Sequence, residues 1–194
     1  QNFHADQTRL FDKIAVKETV NQLNLPLKVP RLLATGSSIN ELLSQNLTPP
    51  YVLKASHDSG SVWIIKENYQ LTRSLKKEIN QSIRSVFGRG SMELQYQNIP
   101  RLILAEEYLG DETLDYKFFV FNGSVQFIQV DVDRHTHHKR CFFDVHWKKL
   151  PFGLEYPYYH GHIEAPPKFN DMIQICETIG KNTPFFRIDL YFVN

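Results

Sequence analysis

Lys54 lies inside the apolar run Tyr51–Ala55 and immediately precedes the small polar stretch Ser56-His-Asp-Ser-Gly-Ser61. An ammonium beside clustered backbone N–H donors suits a phosphate. The same pattern also fits a lysine on the solvent side of an alternating strand, with Ser59-Gly60 as the turn. Glu106-Glu107-Tyr108-Leu109 ends a second apolar run, and Asp115 and Lys117 share one face of the next by the two-residue period, as a surface ion pair would. Asp131, Asp133 and Arg134, followed by His135, His137 and His138, gather possible metal ligands. Asp131-Val132-Asp133 can hold a divalent cation for a nucleotide-sugar transferase, the imidazoles can take zinc, or the segment is a polar hairpin end. No Cys or Glu completes a zinc-like spacing, so zinc is not expected. Asp189 sits between Ile188 and Leu190, where a carboxylate is costly unless it is paired, hydrogen-bonded or bound to a cation. Arg187, two residues earlier, can supply the pair. Cys141 and Cys176 have no activating neighbour in sequence and read as packing residues.

The elements that must position these groups follow from periodicity and punctuation. Phe11, Ile14, Val16, Val20 and Leu23 predict one helix over 9–23, and Pro26 and Pro30 then enforce extended chain. Ser38 with Glu41 is a capping-box signature for a short helix over 39–45. Tyr51–Ala55 and Val62–Lys66 predict a hairpin across the polar loop, and Leu71, Leu75, Ile79, Ile83 and Phe87 an amphipathic helix ended by Gly88 and Gly90. Leu102–Tyr108, Tyr116–Phe121 and Val125–Val130 are strands, the last two joined by the turn dipeptide Asn122-Gly123, and Arg140–Val145 is a weaker one. The Pro-, Gly- and Tyr-rich segment 146–168 has no period and predicts a long, substrate-facing loop. A helix around Phe169–Ile179 and a buried strand Phe185–Val193 close the chain. The order predicts an α+β fold with antiparallel sheets.

Composition bounds the partners. The 194 residues suffice for one domain or two small lobes, and with 42% apolar and 13% aromatic residues the chain can form a core. A formal charge of +1 gives no basic field for a nucleic-acid backbone. Two cysteines, no run of eighteen apolar residues and no basic leader point to a reducing, cytoplasmic setting, with any membrane association peripheral. A first residue Gln and an end at Asn194, directly after an apolar run, lead us to expect a fragment cut at its C-terminal end.

Taken in order, Phe11-Asp-Lys-x-Ala-Val-Lys-Glu18, Val52-Leu-Lys-Ala-Ser-His-Asp-Ser-Gly60, Ala105-Glu-Glu-Tyr-Leu109, Asp115-Tyr-Lys-Phe-Phe119, Phe121-Asn-Gly123, Phe127-Ile-Gln-Val-Asp131, Phe143-Asp-Val-His-Trp147 and Arg187-Ile-Asp-Leu-Tyr191 resemble the TupA-like ATP-grasp family over nearly the whole chain. The resemblance implies an ATP-grasp fold of two small α+β lobes holding ATP between antiparallel sheets. It also implies a place in bacterial surface-polysaccharide or teichuronopeptide biosynthesis. Under it, 1–50 is a helical and extended lead segment, 51–108 the lobe with the phosphate loop, and 109–194 an incomplete C-terminal lobe.

By the same resemblance, Lys54 contacts the α/β-phosphates and His57, Asp58, Ser59, Gly60 and Ser61 close over the phosphates through backbone N–H groups. Ser61 stands where the family often has another glycine. Glu106, Glu107, Tyr108 and Leu109 accept adenine, Asp115 takes the ribose, Lys117 and Arg134 face the terminal phosphate or a bound carboxylate, and Asp189 is the first Mg2+ carboxylate. The second metal carboxylate and an asparagine are expected past Asn194, so the chain alone is expected to be inactive. The implied activity is an ATP-dependent carboxylate-amine ligase with ATP and Mg2+ as cofactors, and a carboxylate or sugar-acid acceptor and an amine donor as partners. The rivals are a glycosyltransferase using Asp131-Val132-Asp133 and a non-catalytic nucleotide-binding module.

Overall fold

In Tyr51–Ala55 buried Tyr51, Leu53 and Ala55 alternate with half-buried Val52 and Lys54, the signature of a strand with one face on a core. The computed structural model describes residues 9–85, 96, 98–110, 114–133 and 136–193. It divides the chain into a first unit, Gln1–Leu109, and a second, Gly110–Asn194.

In the first unit β1 (Leu32–Gly36), β2 (Tyr51–Ala55), β3 (Val62–Ile65) and β4 (Ile103–Glu107) form one antiparallel sheet in the order β1-β4-β2-β3. Helices α1 (Ala15–Gln22), α2 (Ile39–Leu43) and α3 (Arg73–Arg84) accompany it. Leu53, Ile65, Ile103 and Ala105 from the sheet pack with Ile39 and Leu42 of α2 and Ile79 and Ile83 of α3. Val52 and Lys54 of β2 and Leu104 and Glu106 of β4 point to the opposite face. The predicted hairpin is β2-β3, with Lys54 opposite Val62.

Two expectations change. The helix predicted over 9–23 is broken at Asp12, whose carboxylate accepts from the amides of Ile14 (2.8 Å) and Ala15 (3.4 Å), so α1 starts afresh at Ala15. The stretch after Pro30, read only as extended chain, is a paired strand, with Ala34 opposite Ala105. The capping signature is present with a shifted partner. Ser38 Oγ accepts from Glu41 N at 3.2 Å, while the Glu41 carboxylate reaches back to Ser37 N at 2.8 Å. Phe87, Gly88 and Gly90 lie outside the described residues.

In the second unit β5 (Asp115–Phe121), β6 (Ser124–Val132), β7 (Lys139–Phe143) and β8 (Phe185–Tyr191) form an antiparallel sheet in the order β7-β6-β5-β8. Asn122 (φ 48°) and Gly123 (φ 79°) turn β5 into β6, as the dipeptide predicts. Helix α4 (Phe169–Gly180) packs over β5, β6 and β8. The sheet buries Phe118, Val120, Ile128, Val130, Cys141 and Phe143, and α4 buries Met172 and Cys176. Both thiols are free, and burial raises their pKa values, as packing residues require.

By register, the other face of this sheet carries Asp115 and Lys117 of β5, Gln129 and Asp131 of β6, Arg140 of β7 and Asp189 of β8. The closing strand differs from expectation. It ends at Tyr191, lies at the sheet edge, and alternates buried Phe186 and Ile188 with exposed Arg187 and Asp189. The segment 144–168 is irregular but tethered. Trp147 Nε1 donates to Ile163 O (2.9 Å), Arg140 N to Pro157 O (3.0 Å) and Tyr159 N to Arg140 O (2.9 Å), so part of it runs along β7.

Candidate functional site

Lys54 is not a solvated strand lysine. Its Nζ donates to Glu106 Oε2 at 2.7 Å, across β2 and β4, and Lys17 Nζ of α1 lies 2.9 Å from Glu106 Oε1. Lys17 also donates to Pro30 O at 2.6 Å. Burial favours the protonated Glu106, but the ammoniums of Lys54 and Lys17 outweigh it and hold the carboxyl below its ordinary pKa. Two cations therefore share one ionised carboxylate, with one positive charge in surplus, and Lys54 keeps a quarter of its side chain open to solvent. A third ammonium, Lys13, donates to Ala55 O at 2.7 Å and to Asp58 O, and stands 3.8 Å from Asp58 Oδ1. Its own burial, with Lys54 nearby, lowers its pKa despite the help of Asp58 and Glu106.

The polar loop after Lys54 closes on itself. Asp58 Oδ1 accepts from Gly60 N (3.4 Å) and Ser61 N (3.3 Å), and Asp58 Oδ2 accepts from Ser61 Oγ and from Ser82 Oγ of α3 (3.2 Å). Of the amides expected to meet phosphate, those of Gly60 and Ser61 thus face an internal carboxylate. His57 is buried, with Nε2 3.1 Å from Ser85 O and burial lowering its pKa. Ser59 and Gly60 are exposed at the loop tip. Of the expected adenine segment, Glu106 is in the lysine cluster and Glu107 accepts from Arg31 N at 2.9 Å. Tyr108 and Leu109 lie just past the last strand pair, with Lys66 Nζ 5.8 Å from the Tyr108 ring.

In the second unit Lys117 is buried among three carboxylates. It contacts Asp115 directly, and its Nζ lies 3.4 Å from Asp131 Oδ2 and 3.9 Å from Asp189 Oδ2. The Asp115–Lys117 pair is therefore a buried one, where a surface pair was an option. Asp131 is also held by Arg140, whose Nε is 2.6 Å from Oδ1, and by Gln129 Nε2 at 3.1 Å, and His138 Nε2 lies 3.2 Å from Oδ1. Burial pushes the Asp131 pKa up, but the Arg140 hydrogen bonds and the Lys117 charge bring it down to about 2. Arg140 continues to Glu155 Oε2 at 2.9 Å and lies over the Tyr156 ring, 4.6 Å from its centroid.

Asp131 and Asp133 do not form a paired cation site in this arrangement. The first is saturated by cationic donors and the second lies exposed past the strand end at φ 52°. Among the described residues no group of three His, Cys, Asp or Glu side chains could hold a metal. Arg134 and His135 lie outside the described residues. Asp189 is partly exposed and carries Arg187, with Nε 3.0 Å from Oδ1. Lys13, Lys17, Gln129 and Arg140 carry much of this geometry, yet the sequence assigns them no role: the first three stand only inside the motifs of the resemblance, the two lysines four residues apart, and Arg140 stands in none.

The sequence model described as TupA-like ATPgrasp matches residues 1–194, the whole chain. The chain belongs to the TupA-like ATP-grasp family. Solved structures show the ATP-grasp fold. L-amino acid ligase from Bacillus licheniformis superposes with a TM-score of 0.52 at 11% identity, over 94% of this chain and 39% of that one. D-alanine–D-alanine ligase from Bacillus anthracis gives 0.52 at 16% identity, over 95% of this chain and 53% of that one. The TupA-like chain thus spans about half or less of the length of these ligases. No curated protein matches its sequence significantly. Among the described residues, no helix of this TupA-like protein is long and apolar enough to cross a membrane.

Proposed function

We propose that this TupA-like protein binds ATP and uses it to join a carboxylate to an amine. The observation that carries the reading is the Lys17–Glu106–Lys54 cluster, with Lys13 beside it, at the root of a loop whose amides already hold a carboxylate. Surplus positive charge next to such a turn suits the phosphates of a nucleotide. In the proposed reaction a carboxylate oxygen attacks the γ-phosphorus, the bond to the β–γ bridging oxygen breaks, and ADP leaves. The amine nitrogen then attacks the acyl carbon of the acylphosphate, phosphate departs with the C–O electron pair, and the amine loses a proton.

Lys54 and Lys13 meet the phosphates, and Glu106 to Leu109 border the adenine through their main chain. Asp115 is assigned to the ribose, and Lys117, with Arg134, to the terminal phosphate or the bound carboxylate. Asp189, partly exposed and paired with Arg187, is the carboxylate proposed for Mg2+, which is commonly held by one or two carboxylates, waters and substrate phosphates. Held there, Mg2+ would supply neutralisation of the charge on the phosphoryl oxygens. A sugar acid of a surface polysaccharide, or its precursor, is the proposed acceptor on the family resemblance. Calorimetric titration with MgATP, a UDP-sugar and a CDP-sugar tests the reading. ATP should bind and the nucleotide sugars should not; selective binding of a nucleotide sugar, or of no nucleotide, would overturn it.

A further inference from the structure

We propose that Lys17 is a positioning residue for phosphate recognition: buried away from the ligand, it offsets the charge of Glu106 so that Lys54 keeps a net pull on an anion. The inference rests on the ATP reading above. Lys17 has the chemistry of a ligand residue but not its exposure. Its side chain is 11% exposed against 25% for Lys54. Its ammonium is divided between Glu106 Oε1 (2.9 Å) and Pro30 O (2.6 Å), and its stem reaches from α1 to the far strand β4. Lys54 takes the other oxygen of the same carboxylate at 2.7 Å.

The charge count gives the consequence. Without Lys17, Glu106 would be left to Lys54, with Lys13 the nearest further ammonium and itself beside Asp58, and the positive charge the site presents would fall by one. Glu106 would still hold Lys54 in place, so the geometry would survive while the attraction for phosphate fell. A purely structural Lys17 predicts the opposite pattern, with loss of every ligand and no recovery when Glu106 is altered.

The test is calorimetric binding of ATP and of adenosine to the intact chain and its variants. Lys17→Met should lower ATP affinity about tenfold, the scale of one partly screened charge at this range, and leave adenosine affinity unchanged. Lys17→Arg should keep ATP affinity. Adding Glu106→Gln to Lys17→Met should restore most of the lost ATP affinity, because it removes the charge that Lys17 offsets. Lys17→Gln serves as the neutral variant if the Met protein does not fold. Equal ATP affinity in wild type and the neutral variant, equal loss of ATP and adenosine, or no recovery in the double variant would each overturn the role of Lys17. Failure of the wild-type chain to bind ATP would instead remove the ATP reading on which it stands.

Discussion

Asp131 and Arg140 face each other across β6 and β7, with Arg140 Nε 2.6 Å from Asp131 Oδ1, and both side chains are buried. Because the folded Asp131 pKa is about 2, below its ordinary value of 3.8, the pair stabilises the fold fully above about pH 4. That contribution, about 2 kcal/mol for a shift of this size, should be lost as pH falls from about 4 toward 2. Asp131→Asn, which leaves the buried Arg140 guanidinium with only the exposed Glu155 carboxylate and removes a charge that Lys117 also faces, should cost about 3–5 kcal/mol. Urea unfolding followed across this pH range checks both. A variant as stable as wild type at pH 7 would show that Arg140 is satisfied elsewhere.

Lys54→Ala should weaken MgATP binding by about 1.5–3 kcal/mol, the range for hydrogen bonds to charged groups. The fold should persist, since Lys54 lies on the face of β2 opposite the apolar core. Unchanged affinity in a calorimetric titration would move the phosphates elsewhere.

Asp133→Asn should leave ATP affinity within about twofold of wild type, because an exposed residue past a strand end contributes little at a distance. Loss of manganese-dependent nucleotide-sugar binding in this variant would instead establish the transferase reading.

The strands were legible wherever a two-residue period met a clear turn. Lys54 and its loop were found because β2 and β3 are a local hairpin, and Asn122-Gly123 because both residues accept positive φ. Strand β1 escaped because its partner β4 is far along the chain and two prolines precede it. The same limit hid the site's main contacts. Lys17 meets Glu106, and Arg140 meets Asp131, only through strand register and the placing of α1. Asp189 was found for an incomplete reason: the apolar run suggested a buried strand, whereas an edge strand leaves the carboxylate partly exposed.

Gly180, at the end of α4, lies against β5 so closely that an added Cβ would stand 2.7 Å from Val120 Cγ1. Gly180→Ala should therefore destabilise the second unit by about 1–3 kcal/mol through overpacking. Thermal unfolding beside a Thr178→Ala control, on an exposed position of the same helix, separates this clash from a general helix effect. Equal melting temperatures for wild type and Gly180→Ala would mean that β5 and α4 can part without cost.

Asp189 should decide how Mg2+ and nucleotide are coupled. In the structure its carboxylate is held by Arg187, with a hydrogen bond of 3.0 Å, while Lys117 stands 3.9 Å away on the opposite strand. The Arg187 pair is partly exposed, with side-chain exposures of 45% and 35%, so it is worth only about 0–1 kcal/mol to the fold. Breaking the pair to free this carboxylate for Mg2+ would therefore cost little. Asp189→Asn should therefore leave the melting temperature and the Mg2+-free affinity for ATP close to wild type, while removing the gain in ATP affinity that Mg2+ brings. Arg187→Ala should enlarge that gain, since it removes the cation competing for the carboxylate. ATP titrations at fixed protein concentration, with and without Mg2+, measure both effects. If Asp189→Asn keeps the full Mg2+ effect, the cation is held by other groups and Asp189 serves only as the partner of Arg187.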